Sequence, residues 1–177
     1  VSGVVLHYEV GTNFGGLSFM VGSVLGPLFS YEVLSAFFLE SGFLGIMLFG
    51  WDRVGPKLHF FASCMVAIGT IFSAFWIMSA NSWMQTPVGA HLGTDGIYHV
   101  DSWLEVIFNP SVFPRYFHMM TAALVTTVFV TAAVSCWFIL KNKHLDIAKT
   151  VLKFSLACAV VVVPLQIGIG DWVGLNV

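Results

Sequence analysis

Long apolar segments dominate the chain, and polar residues are confined to short intervals between them. A helix needs about 20 mostly apolar residues to cross a hydrocarbon core of roughly 30 Å. Four segments reach this length, and each can cross with some tilt: residues 25–50, 58–83, 113–140 and 147–169. Helices of this length seldom follow one another four times in a soluble domain. The pattern therefore predicts an all-α integral membrane protein whose four transmembrane helices form part of a larger helical bundle.

The shorter segments complete this picture. Residues 1–8 are apolar enough to be the tail of an earlier span, and residues 84–112 predict an outward-facing loop with a short interfacial helix. The chain starts without Met and stops just after an apolar run. We therefore expect residues 1–177 to be a single membrane-domain fragment, internal to a longer polypeptide.

Basic residues orient the predicted spans. Six of the seven Lys and Arg residues follow the first or third span, whereas residues 85–109 contain none and carry three acids. Cytoplasmic loops are enriched in Lys and Arg. We therefore expect spans one and three to run from the outer face to the cytoplasm, with both chain ends facing outward. The six residues are Arg53, Lys57, Lys141, Lys143, Lys149 and Lys153; Arg115 lies on the other side.

Composition excludes several classes of protein. The chain is 58% hydrophobic and only 9% charged, whereas a soluble domain is about 25% charged. The net charge of −2 comes with no basic patch of the kind that nucleic acids require. Three cysteines lie in apolar runs at no metal-ligand spacing, which favours packing thiols: Cys64, Cys136 and Cys158.

Two carboxylates, Glu32 and Glu40, fall inside the first predicted span. In an α-helix the eight-residue spacing is about 12 Å of rise and about 80° of rotation, so both can lie on one broad face. An ionisable group at this depth costs several kcal/mol unless it is paired, protonated or hydrated. The pair indicates a proton relay, a cofactor contact or an ion site; the alternative is a protonated carboxyl bonded to a neighbouring helix. Ser41 and Ser73 can extend a proton path, although each alone is an ordinary packing serine.

His118 lies just inside the outer end of the third span, one turn after Arg115. A neutral imidazole at this depth can ligate a haem iron, and Arg115 can pair with a haem propionate. The alternative is an interfacial histidine bonded to a carbonyl, and the sequence favours neither. The other histidines, His7 and His59 included, lie at span ends or in loops without zinc-site spacing. Trp51, Trp83 and Trp103 lie where an aromatic belt places them.

Several strings together resemble subunit I of the cytochrome bd-type quinol oxidases, in the family's order and nearly its spacing. The most specific are Ala-Phe-Phe-Leu-Glu-Ser at residues 36–41 and Trp-Met-Gln-Thr-Pro at 83–87. The others are Gly-Thr-Asn at 11–13, Glu32, Phe-Gly-Trp-Asp-Arg at 49–53, Ser-Ala-Phe-Trp-Ile at 73–77, Ala-Asn-Ser at 80–82, His118, and Gly-Asp at 170–171. The similarity covers essentially the whole chain.

The resemblance implies a terminal oxidase of a bacterial or archaeal cytoplasmic membrane. The family oxidises quinol near the outer face and reduces O2 to water with protons taken from the cytoplasm. Its cofactors are a low-spin haem b, a high-spin haem b, and haem d or haem b at the oxygen site. Its partner is a second membrane subunit in the lipid bilayer.

Site residues follow from the resemblance by position. His118 matches the axial ligand of the low-spin haem b, and Glu32 matches the carboxylate beside the oxygen-reducing haems, as a contact to haem iron. Glu40, Ser41 and Ser73 match the proton route to it. Asn81 and Trp83 match residues around a porphyrin.

Ser23, where many members carry an acid, and Phe14, where Trp is common, leave the branch of the family open, a cyanide-insensitive-like one included. The remaining ligands and the quinol loop are expected outside residues 1–177. Two other functions are weighed against the oxidase: a membrane cytochrome b that only relays electrons, and a proton or ion transporter that uses the two carboxylates. The relay usually needs paired histidines on facing spans, and His59 and His118 lie at opposite ends.

Overall fold

The chain folds as a set of long helices with one small hairpin between them. The computed structural model describes residues 2–176, apart from the side chains of residues 2–4 and 6. The elements in chain order are α1 (Ser2–Thr12), α2 (Gly15–Glu32), a π-helix (Val33–Phe37), α3 (Phe38–Phe49), α4 (Pro56–Gln85), β1 (Ala90–Leu92), β2 (Tyr98–Val100), α5 (Trp103–Ile107), α6 (Val112–Leu140) and α7 (Leu145–Asn176). The all-α membrane class is therefore confirmed.

Four helical segments are long and apolar enough to cross a membrane. They are Gly15–Phe49, Pro56–Gln85, Trp103–Leu140 and Leu145–Asn176. Large apolar side chains on them face outward, among them Phe60 at 72% and Val160 at 75% exposure. Exposed apolar surface of this extent matches the apolar environment of a bilayer. The first segment begins at Gly15 rather than at residue 25 because the apolar pattern continues upstream through Phe19 and Met20.

Local sequence explains where several elements begin. Helix α4 starts with Pro56 at its first position after the extended Gly55, where the missing proline N–H costs no hydrogen bond. Helix α5 starts after Ser102, whose hydroxyl accepts from the backbone N–H of Glu105, as an N-cap residue does. The short helix that the sequence predicted in the outer loop is thus present.

A β-hairpin in the same loop was not predicted. Strands β1 and β2 pair antiparallel, with His91 opposite His99. Each of these histidines contacts an aspartate: His91 lies 2.9 Å from Asp101, and His99 lies 3.0 Å from Asp95. The backbone N–H of Ile97 and then His99 lower the pKa of the Asp95 carboxyl below its ordinary range.

The chain divides into two compact units, Val1–Val112 and Phe113–Val177. The core of the first unit joins α2 and α4 to the loop between α4 and α6, with Val106 from α5 fully buried between them. Trp83 is 2% exposed in this core, and its indole N–H donates to the Val88 carbonyl. The remaining buried core residues are Val21, Val24, Leu25, Leu28 and Ala80.

A network of buried polar residues joins α4 to the segment that precedes α6. Asn109 is 1% exposed, and its amide donates to the carbonyls of Ser79 and Val106 at 3.3 and 3.0 Å. The hydroxyls of Thr86 and Ser111 lie 2.7 Å apart. Because buried polar groups are costly when unpaired, this network holds the loop between α4 and α6 against α4.

The second unit is the antiparallel pair α6 and α7. The turn between them contains Asn142 and His144, both with positive φ, at 52° and 48°. Midway along the helices, the hydroxyls of Thr131 and Ser155 lie 2.9 Å apart. Such a hydrogen bond between apolar helices is worth about 0.6 to 2 kcal/mol.

Candidate functional site

Glu32 is a buried carboxylate within the first membrane-spanning segment. It ends α2 and is 5% exposed. Ser73 on α4 donates its hydroxyl to Glu32 Oε1 at 2.5 Å, and His7 Nε2 on α1 lies 3.4 Å from Oε2. Both carboxyl oxygens therefore have a polar neighbour, each from a different helix. Such a group can hold a proton or accept a hydrogen bond without facing solvent.

His7 is a site residue that sequence reasoning missed. The sequence suggested an end or loop position, whereas the structure places it inside α1, with a side chain only 25% exposed. The Phe29 ring packs edge-on against it, with centroids 5.1 Å apart. A cleft of about 410 Å³ lies beside the pair, lined also by Ser30, Val33 and Leu34. Because 25 positions separate His7 from Glu32, no helical spacing could have joined them.

A π-helical turn at Val33–Phe37 lies between Glu32 and Glu40. Its hydrogen bonds run from i to i+5, so it holds one more residue per turn than an α-helix. Relative to a regular α-helix, one extra residue therefore changes the angular position of every later residue about the helix axis by about 100°. In a regular helix Glu32 and Glu40 would differ by about 80° around the axis. With the extra residue they differ by only about 20°, in the opposite sense, so the two carboxylates share one narrow face.

Helix α4 packs against this face, and it presents small residues next to both carboxylates. A Cβ built on Gly69 would lie 3.1 Å from the Glu40 nitrogen and 3.2 Å from its Cβ, so the two backbones approach closely there. Four residues further along α4, Ser73 meets Glu32. Trp76 follows on the same stripe and donates its indole N–H to the Ser35 hydroxyl at 2.9 Å. The structure thus brings Glu32, Glu40 and Ser73 onto one helix interface.

Ser41 is the predicted proton-path residue that lies apart from this interface. Its side chain is exposed, and its hydroxyl has no hydrogen bond among the residues that the structure describes. Glu40 is half-buried and likewise has no side-chain hydrogen bond within residues 2–176. The assignment of both residues to a proton route stays a prediction.

His118 lies in the second unit, early in α6, and faces α7. Both nitrogens of its imidazole lie 3.2 Å from the side-chain nitrogen of Gln166. A Cβ built on Gly170 would lie 3.2 Å from His118 Cε1, so only glycine lets the ring pack this closely on α7. Arg115, one turn before His118, is half-buried. Gln166 is the second site residue that sequence reasoning missed, because it stands 48 positions from its partner.

The other candidate positions have structural partners. The ring of His59 lies 2.9 Å from the Met47 carbonyl and stacks on Trp51 at 4.5 Å, which ties it to the turn between α3 and α4. Trp83 is enclosed in the core, and Asn81 is half-buried on the same helix. Contact of Asn81 or Trp83 with a porphyrin stays a prediction.

Comparison with known proteins gives consistent matches. A family model described as cytochrome bd terminal oxidase subunit I matches residues 1–177. Cytochrome bd ubiquinol oxidase subunit 1 of Bacillus subtilis is 37% identical over 99% of the chain. Cytochrome bd-II ubiquinol oxidase subunit 1 of Escherichia coli is 36% identical over 83% of the chain. The match covers 36% and 29% of these two relatives, so the chain spans about a third of their length.

The chain is also similar to a solved structure. The bd oxidase from Geobacillus thermodenitrificans superposes with a TM-score of 0.84 and is 28% identical. The match covers 97% of this chain and 40% of the other. The element order described above is therefore an arrangement that a known oxidase also contains.

Proposed function

The chain belongs to the cytochrome bd terminal oxidase subunit I family, and from this premise we propose that it is part of a membrane quinol oxidase. The complete protein oxidises quinol near the outer face of the cytoplasmic membrane and reduces O2 to water, with protons taken from the cytoplasm. It acts with a second membrane subunit. The observation that carries the proposal is His118, an imidazole held half-buried against α7 inside a membrane-spanning segment.

The surroundings of His118 fit a haem ligand. The imidazole packs against the α7 backbone at Gly170, and the Gln166 side-chain amide lies beside the ring. The carbonyl oxygen of the Gln166 side chain is buried and has no hydrogen-bond partner among the described residues, which leaves an acceptor beside the ring. His118 would hold the low-spin haem b through its imidazole, and Arg115 would pair with a propionate. When bound, the haem supplies a one-electron carrier between quinol and the oxygen site.

The Glu32 cluster would serve the oxygen site, which the family builds from a high-spin haem b and a haem d or second haem b. Glu32 holds a proton or contacts iron, while Ser73 donates to one of its oxygens and His7 lies 3.4 Å from the other. Glu40 shares the Glu32 face and lies beyond it toward the expected cytoplasmic end. The geometry supports the order Glu40 before Glu32 for protons that enter from the cytoplasm.

Replacing His118 tests the proposal in the full-length oxidase. His118→Ala should abolish the low-spin haem b bands in reduced-minus-oxidised spectra, together with quinol oxidation, while the oxygen-site haems remain bound. His144→Ala is the matched control, because His144 lies in the same unit at the far end of α6. An unchanged low-spin spectrum in His118→Ala would overturn the assignment.

The same preparations separate the alternatives. An electron-relay cytochrome b would show haem but no quinol-dependent O2 uptake, and an ion transporter would show no haem at all. The relay reading is also weakened by His59, since its ring is engaged by Met47 and Trp51.

A further inference from the structure

Gln166 is the polar side chain that the structure sets against the His118 imidazole. Its amide nitrogen lies 3.2 Å from both ring nitrogens, in a half-buried contact between α6 and α7. Thr121, one turn after His118 on α6, donates its hydroxyl to the Phe117 carbonyl at 2.8 Å. The side-chain amide of Gln166 is therefore the group placed to meet whichever ring nitrogen is not engaged elsewhere.

The amide leaves one of its own groups unsatisfied. Gln166 Oε1 is buried without a hydrogen-bond partner in residues 2–176, and a buried acceptor without a donor costs about 1 to 3 kcal/mol. The oxygen and nitrogen of a glutamine amide exchange places by rotation about the last side-chain bond, and the hydrogen-bond network decides between them. With the oxygen toward His118, it can accept a ring N–H, and the amide nitrogen takes the buried position instead.

Binding of His118 to a haem iron would also require a hydrogen-bond acceptor at its second ring nitrogen. A histidine that binds a metal through one nitrogen donates the N–H of the other to an acceptor, which fixes the ring and raises its basicity. Gly170, four residues after Gln166 on α7, lets the ring approach within that acceptor's reach.

We propose that Gln166 accepts the N–H of the iron-bound His118 imidazole and thereby lowers the reduction potential of the low-spin haem. The proposal rests on the proposed function of His118 and makes Gln166 a positioning residue that acts through the imidazole. A more basic ligand stabilises ferric over ferrous iron, so loss of the acceptor favours the ferrous state.

Spectroelectrochemical titration of the full-length oxidase tests this directly. Gln166→Met keeps an unbranched side chain of similar length and removes the acceptor. It should shift the ferrous-to-ferric ratio about fivefold toward ferrous haem at a given potential, which is about 40 mV upward at 59 mV per tenfold for one electron. Gln166→Glu keeps the shape with a stronger acceptor and should shift the potential downward.

Ser155→Ala is the control, because it removes another hydrogen bond between α6 and α7 without touching His118; it should leave the potential unchanged. Equal shifts in Ser155→Ala and Gln166→Met, or shifts of the same sign in both Gln166 variants, would overturn the proposal. If Gln166→Met binds no haem, the reduction potential of Gln166→Glu still tests the proposal, which requires a downward shift. Retention of the low-spin bands in His118→Ala would instead overturn the proposed function, so the two failures are distinguishable.

Discussion

Ser73→Ala isolates the hydroxyl that serves the buried carboxylate. Ser73 Oγ donates to Glu32 Oε1 at 2.5 Å, and Glu32 is 5% exposed, so water does not readily replace the donor. The substitution removes one oxygen and leaves the helix backbone intact. We expect the variant to bind its haems normally and to reduce O2 more slowly.

The expected loss of rate follows from the strength of the hydrogen bond between Ser73 and Glu32. A hydrogen bond to a charged group contributes about 1.5 to 3 kcal/mol, and each 1.4 kcal/mol is a factor of ten. If the ionised Glu32 is needed in turnover, its loss of a donor lowers the rate by about ten-fold to a hundred-fold. The contact to His7 at 3.4 Å serves the other oxygen and does not compensate for Oε1.

Quinol-driven O2 uptake, normalised to haem content, measures the effect. Ser63→Ala is the matched control, because Ser63 lies on the same helix and donates within it to the His59 carbonyl at 3.0 Å. Ser73→Thr keeps a hydroxyl and should recover most of the rate. A Ser73→Ala rate within twofold of the wild type, alongside an inactive Glu32→Gln, would refute the reasoning and reduce Ser73 to a packing residue.

Two further predictions concern the other end of the same interface. Glu40→Gln should retain its haems and slow O2 uptake, with a larger solvent isotope effect; normal turnover would show that Glu40 only packs. Gly69→Ala places a methyl group 3.1 to 3.3 Å from the Glu40 and Ala36 backbones and should destabilise the protein by about 1 to 3 kcal/mol, read as a lower thermal midpoint. Gly42→Ala, with open space around its Cβ, is the control and should keep or raise that midpoint.

Sequence reasoning succeeded where the signal is local and repeated. Apolar length alone predicted the four membrane-spanning helices, because the strands of a membrane β-barrel need only about 9 to 11 residues, far fewer than these continuous apolar runs. The short helix in the loop between α4 and α6 was also predicted, and Ser102 caps it by accepting the backbone N–H of Glu105. The β-hairpin was missed because each strand has only three residues, too few to show an alternating pattern.

The site was predicted only in part. Glu32 and His118 stand out in sequence because a polar group inside a span is costly. Their partners do not, since His7 and Gln166 come from other helices and are chosen by tertiary packing. The π-helical turn also leaves no periodic signal, because Val33–Phe37 reads as five ordinary residues of an apolar helix.

That turn explains why two carboxylates eight positions apart can both meet α4. In a regular helix the rotation of about 80° would place the two carboxylates toward opposite edges of one broad face. The wider turn brings Glu40 back to the face of Glu32, where α4 offers Gly69 and Ser73 one helical turn apart. The glycine admits the backbone of α3, and the serine supplies the hydrogen bond. The shared face of Glu32 and Glu40 thus depends on an irregularity in one helix and on the order of two small residues in the next.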